Sequence, residues 1–250
     1  MLKICAGYFC APQVFYFEPH GKWYMVLQVI DESRKPALQP AYSTNDDIAD
    51  PDGWSEPTLL YAEHPKSVSM WIDLWVICDE ERAHLFFTSL DGKIWRAETA
   101  LADFSGGWDA LKVVLQGDVF EASHTYRLKG LDEYLTVIEA QGQAGRRYYK
   151  AYLADRLDGG WRPQADTLDK PFASWANVGF EGDAWSESIS HGESLREGSN
   201  QLLEVDPANL RFLFQGALYA EPQGKPYRQI RWRLGLLEPA ASVRRHRNRD

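Results

Sequence analysis

Three Gly-Trp turns recur at a nearly fixed interval along the chain. Asp52-Gly53-Trp54-Ser55, Gly106-Gly107-Trp108-Asp109 and Gly159-Gly160-Trp161-Arg162 place their tryptophans 54 and 53 residues apart. Each turn follows a short polar strand: Ala41–Thr44, Trp95–Glu98 and Lys150–Leu153. Two further sets of aromatic or β-branched runs keep the same phase. One set is Lys22–Gln28, Ala83–Thr88, Glu133–Ile138 and Asn209–Phe214; the other is Pro12–Phe17, Met70–Cys78, Phe120–Leu128 and Ile189–Leu195. Gly, Asp or Pro bounds these runs, which is how strands are punctuated. Helical periodicity is almost absent.

Each unit therefore reads as three or four antiparallel strands in roughly 50 to 75 residues. Four-stranded sheets recurring at that period predict an all-β fold, a β-propeller. A β-sandwich is the alternative, but its strands do not usually recur with a fixed long period. About four units are present, and the chain opens directly on a strand of the innermost type. The expectation is a propeller whose first blade is missing or incomplete, an N-terminally truncated domain over residues 1–238. Asp31–Pro40, with two prolines, reads as a loop joining blades. Residues 239–250 read as a basic, disordered tail.

Charge narrows the class of partner. The 250 residues carry a formal −9, and the last seven alone carry +3 through four Arg and one Asp. A body this acidic argues against nucleic acid. No apolar run approaches the roughly 18 residues of a membrane helix. Met1–Tyr8 lacks the apolar stretch of a signal peptide. The three cysteines show no zinc-ligand spacing, and Cys78, inside Trp75-Val76-Ile77-Cys78-Asp79, reads as a small core residue. Lipase, zinc-protease and nucleotide-binding motifs are absent. Aromatic residues make up 13% of the chain, which suits an all-β fold or a flat-faced ligand such as a sugar.

The first strand of each propeller blade lines the central channel. The candidates there are Gln13, Asp73, Glu121, His191 and Glu193. Asp73 lies between Trp71 and Trp75, and Glu121 follows Val119-Phe120. A carboxylate in an apolar strand is unfavourable unless it is paired or functional. Two carboxyls from different blades meeting in one funnel are what glycoside hydrolysis requires, one to donate a proton and one ionised. Satisfied core carboxylates are the competing reading. His191 reads either as a hydrogen-bonded channel histidine or as a metal ligand.

These strands together resemble glycoside hydrolase family 62, the α-L-arabinofuranosidases that debranch arabinoxylan. The resemblance is carried in order by Ala11-Pro12-Gln13-Val14-Phe15-Tyr16-Phe17, Asp50-Pro51-Asp52-Gly53-Trp54-Ser55, Asp73-Leu74-Trp75-Val76-Ile77-Cys78-Asp79, Phe120-Glu121-Ala122-Ser123, Ile189-Ser190-His191-Gly192-Glu193 and Trp232-Arg233-Leu234-Gly235-Leu236-Leu237. It implies a five-bladed propeller and inverting hydrolysis of α-L-arabinofuranosyl side chains of arabinoxylan or arabinan. Glu121 matches the general acid, and Asp73 the carboxylate that tunes it. Gln13, Tyr227 and Arg233 match substrate-pocket residues, and His191 a histidine beside a calcium ion. It further implies a secreted monomer, with xylan degradation as its role.

The family's general base is an Asp in a Lys-Asp-Pro motif upstream of the Ala-Pro-Gln strand. No such motif occurs in these 250 residues. Arg228 also stands where an Asn is usual. The resemblance thus implies a glycosidase of impaired activity. A non-catalytic carbohydrate-binding propeller is the alternative, and a protein-interaction propeller a third reading.

Overall fold

The structure, a computed structural model, describes residues 9–142, 145–222, 224–226 and 229–240. Four antiparallel sheets follow one another along the chain as four propeller blades. Blade one holds β1 (Phe9–Phe17), β2 (Lys22–Ile30), β3 (Leu38–Asn45) and the short β4 (Thr58–Leu59). Blade two holds β5 (Ile72–Cys78), β6 (Arg82–Thr88), β7 (Lys93–Ala100) and β8 (Lys112–Gln116). Blade three holds β9 (Glu121–Leu128), β10 (Tyr134–Gln141), β11 (Arg147–Ala154) and β12 (Arg162–Ala165). Blade four holds β13 (Ser188–Ser194), β15 (Phe212–Ala217) and β16 (Arg233–Leu237), while the two-residue β14 (Glu204–Val205) runs parallel to β9.

The Gly-Trp turns mark equivalent places, since each follows the third strand of its blade. Ser55 N–H donates to Thr44 O at 2.8 Å, and Asp109 N–H repeats the bond to Glu98 O at 2.9 Å. Two expectations shift. Asp31–Pro40 does not join blades; it closes the β2–β3 hairpin inside blade one. The Asp31 carboxylate organises that turn, accepting from Ser33 N, Ser33 Oγ and Arg34 Nε. The strand expected at Asn209–Phe214 begins at Phe212. Asp206 caps a turn there, taking Ala208 N on its side chain and Asn209 N on its carbonyl, which is usual Asp-turn chemistry.

The inner strands β1, β5, β9 and β13 pack side by side in chain order. Aromatic side chains fill the space between neighbouring sheets: Phe15, Phe17, Trp71, Trp75, Tyr126, Tyr149 and Phe212 are all buried, as is Cys78. The segment after β13 then stitches the inner strands together at one end. Arg196 Nη1 donates to Val14 O at 3.0 Å, Tyr16 N to Ser199 O at 2.6 Å and Cys78 N to Gln201 O at 2.9 Å. No helix among the described residues is long and apolar enough to cross a membrane. Residues 241–250, most of the expected tail, lie outside the described residues.

Candidate active site

Each inner strand breaks its ladder at the same register position. The pairing slips between Cys10 and Gln13 in β1, between Ile72 and Trp75 in β5, opposite Val137 and Glu139 in β9, and between Ser190 and Glu193 in β13. In each case two residues face one on the partner strand, which is a β-bulge, and bulges re-aim side chains. The first residue of each bulge is left-handed: Ala11 (φ 48°), Asp73 (φ 51°), Ala122 (φ 51°) and His191 (φ 39°). Four strained non-glycine residues at one level of the ring point to a functional constraint there.

The bulges bring the expected carboxylates together. Asp73, Glu121 and His191 each offer an atom within 4.8 Å of the others. Asp73 Oδ2 accepts the Ala122 N–H at 2.9 Å, which ties blade two to the bulge of blade three. Burial, and then the negative charge of Glu121, push the Asp73 carboxyl up to about 6; His191 and the Ala122 N–H act against them. A carboxyl this close to a second negative charge resists ionisation, so Asp73 retains its proton to higher pH than a lone group would.

The second strand of a blade secures the bulge of the next. Gln28, opposite Cys10, donates to Trp71 O at 2.5 Å and accepts from Asp73 N at 3.1 Å. Glu139 holds the same position in blade three, opposite Glu121, and accepts the His191 N–H at 2.7 Å. Burial raises the Glu139 carboxyl, while His191 and Arg147 oppose that rise. Arg147 Nη1 donates to both Glu121 Oε1, at 2.7 Å, and Glu139 Oε1. Sequence reasoning missed Gln28, Glu139 and Arg147. Glu139 carried the signal that singled out Asp73, a carboxylate within the apolar run Tyr134–Ala140. Nothing local distinguishes Arg147 from its neighbour Arg146.

Two residues of this cluster, Asp73 and His191, also line a cavity of about 170 Å³, together with Gln13, Trp75, His124 and Glu193, among others. Its walls are the seams between blades. Both ends of the Gln13 amide bond the Val76 backbone, at 2.8 and 2.7 Å, and Trp75 Nε1 donates to Thr125 O at 2.8 Å. Gln13 thus lies where the sequence placed it, with its polar atoms committed to blade two. Arg233 lies elsewhere, in a second groove of about 760 Å³, with its guanidinium 6.0 Å from the Trp185 ring centroid. Tyr227 and Arg228 lie outside the described residues.

Calcium takes six to eight oxygen ligands. The cluster offers two carboxylates and one imidazole, a donor set that fits a mostly hydrated ion rather than a caged one.

The family model of glycosyl hydrolase family 62 matches residues 5–238. Alpha-L-arabinofuranosidase C of Cellvibrio japonicus (strain Ueda107) is 39% identical over 233 residues. The match spans 91% of this chain but only 35% of that protein, about a third of its length. The catalytic domain of a Coprinopsis cinerea GH62 alpha-L-arabinofuranosidase superposes with a TM-score of 0.86 at 39% identity, over 94% of this chain and 74% of that one. A GH62 hydrolase solved in complex with xylotriose gives 0.85 at 40% identity, over 94% and 76%.

Proposed function

We propose, from the premise that this chain belongs to glycosyl hydrolase family 62, that its propeller hydrolyses α-L-arabinofuranosyl side chains of arabinoxylan or arabinan with inversion. The observation that carries this reading is the meeting of Asp73 and Glu121, 48 residues and one blade apart, at a single level of the ring.

Glu121 is the general acid. It gives its proton to the glycosidic oxygen as the bond to the sugar breaks. Asp73 supports it as a neighbouring charge. Opposed acid and base carboxyls of an inverting glycosidase stand about 6.5–9.5 Å apart to admit a water. Asp73 and Glu121 approach within 4.8 Å, which suits a tuning carboxylate and not the base. Gln13 shapes the cavity wall through its stem. Tyr227 and Arg233 remain substrate-binding candidates by family likeness. A calcium ion beside His191 would supply positive charge against the carboxylates.

The polymer partner is a plant arabinoxylan outside the cell. Support comes from the xylotriose bound to one relative and from the activity named for the others. The test is release of arabinose from arabinoxylan by the wild-type chain and by Glu121→Gln. General acid assistance is worth about 10²–10⁴-fold, so the variant should lose that much. Release undiminished in the variant would refute the role of Glu121. Arabinoxylan binding without any release would favour the carbohydrate-binding reading.

A further inference from the structure

Glu139 is completely buried, and a buried carboxylate needs partners. Its donors come from two blades. Within blade three they are Arg147 Nη1 and Tyr149 OH, the latter at 3.5 Å. From blade four, Ser190 Oγ reaches both carboxylate oxygens at 3.1 Å, and the His191 N–H donates at 2.7 Å. Tyr149 OH is itself fixed by the Gly192 N–H at 2.7 Å. So many bonds leave Glu139 one orientation, and with it the Arg147 guanidinium. The Arg147 guanidinium carbon also lies 4.2 Å from the centroid of the Phe120 ring, a cation–π contact that restrains the guanidinium further.

The same Nη1 that meets Glu139 holds Glu121 Oε1 at 2.7 Å. Among the described residues, no hydrogen bond reaches Glu121 Oε2. One carboxyl oxygen is thus pinned, while the other carries no such bond. A general acid works when its proton-bearing oxygen is held within hydrogen-bond reach of the leaving atom.

We propose that Arg147, anchored by Glu139, is a positioning residue that aims Glu121 Oε2 at the glycosidic oxygen. This inference rests on Glu121 being the acid. In the reaction it serves, the C1–O bond breaks, the departing oxygen takes the proton from Oε2, and water bonds C1 and gives up one proton to solvent, or azide bonds C1 in its place. Arg147 neither gains nor loses a proton; it sets the geometry of the transfer.

The experiment compares leaving groups. Arabinoxylan releases a sugar alkoxide that needs the proton. 2,4-Dinitrophenyl α-L-arabinofuranoside releases a phenolate that does not. Assays run with and without sodium azide, a small nucleophile that can attack C1 in place of activated water. The readout is the ratio of kcat on the aryl substrate to kcat on arabinoxylan for wild type, Glu121→Gln, Arg147→Met, Arg147→Lys and Glu139→Gln.

Glu121→Gln should raise the ratio about 10²-fold or more. Arg147→Met should raise it about 10-fold or more, through kcat and not KM, as expected where geometry alone is disturbed. Arg147→Lys keeps the cation but not the planar fork, and should share that signature; it carries the test if the Met variant does not fold. Glu139→Gln should move the ratio the same way.

Equal losses on both substrates would overturn the inference, as would a ratio unchanged from wild type. Full rescue by lysine would show that charge rather than aim is what matters, and would overturn it too. A Glu121→Gln ratio equal to wild type refutes the functional reading instead. Absence of wild-type turnover on either substrate, with and without azide, overturns both.

Discussion

Asp73→Asn should make the protein more stable while disabling it. The carboxylate is held against its own ionisation: burial and the charge of Glu121 push it from 3.8 up to about 6. A shift of that size corresponds to about 3 kcal/mol between the two protonation states. The sign follows from linkage. The folded state binds this proton more tightly than the unfolded chain does, so below about pH 4 both states are protonated and no penalty exists. Between about pH 4 and 6 the penalty grows, and above 6 it is fully present. Asparagine removes the charge, keeps an oxygen that can accept the Ala122 N–H, and tolerates the left-handed backbone. At pH 7.5 the variant should therefore gain up to about 3 kcal/mol over wild type. That equals a Tm rise of roughly 6–12 °C for a chain of this size. Guanidinium unfolding of both proteins at pH 4 and 7.5 measures it. A gain that is absent at pH 7.5, or that is the same at both pH values, would refute the account of Asp73 as a charge kept at the expense of stability.

Gln28→Leu should cost about 2–5 kcal/mol in denaturant unfolding, because Trp71 O and Asp73 N both lose their partner; a loss under about 1 kcal/mol would mean the bulge does not depend on the amide. His124 stacks on Trp75 with ring centroids 4.2 Å apart, and burial pushes it down to about 3. Neutral in the fold and basic when unfolded, it should make stability fall as pH drops from about 6.5 towards 3, by at most about 5 kcal/mol, a slope that His124→Asn should flatten in the same titration. Gly192→Ala should destabilise by about 3 kcal/mol or more, since its Cβ would sit 2.1 Å from Phe212 Cε1 and 2.8 Å from Leu213 O; near-wild-type melting would show that β13 can shift without loss.

The strand runs, the Gly-Trp turns and the oddity of Asp73 and Glu121 were legible because each is a local pattern. Period-two strands, glycine turns and a carboxylate among apolar neighbours are written in a few consecutive residues. The turn at Asp31 misled for the same reason: two prolines announce a loop, but only pairing of β2 with β3 shows which strands it joins. Glu139 carried the same local oddity as Asp73, yet its purpose lies in residues about 50 positions away.

By itself, then, the chain's order of residues determined the repeating sheet, its inner strands and the two carboxylates worth watching. Tertiary structure alone decided that four bulges fall at one level, that Gln28 and Glu139 secure the bulge of the following blade, and that Gln13 bonds a neighbouring strand. The physical reason is reach. A hydrogen bond requires donor and acceptor about 3 Å apart, and whether side chains from separate sheets come that close depends on how the sheets are rotated and stacked.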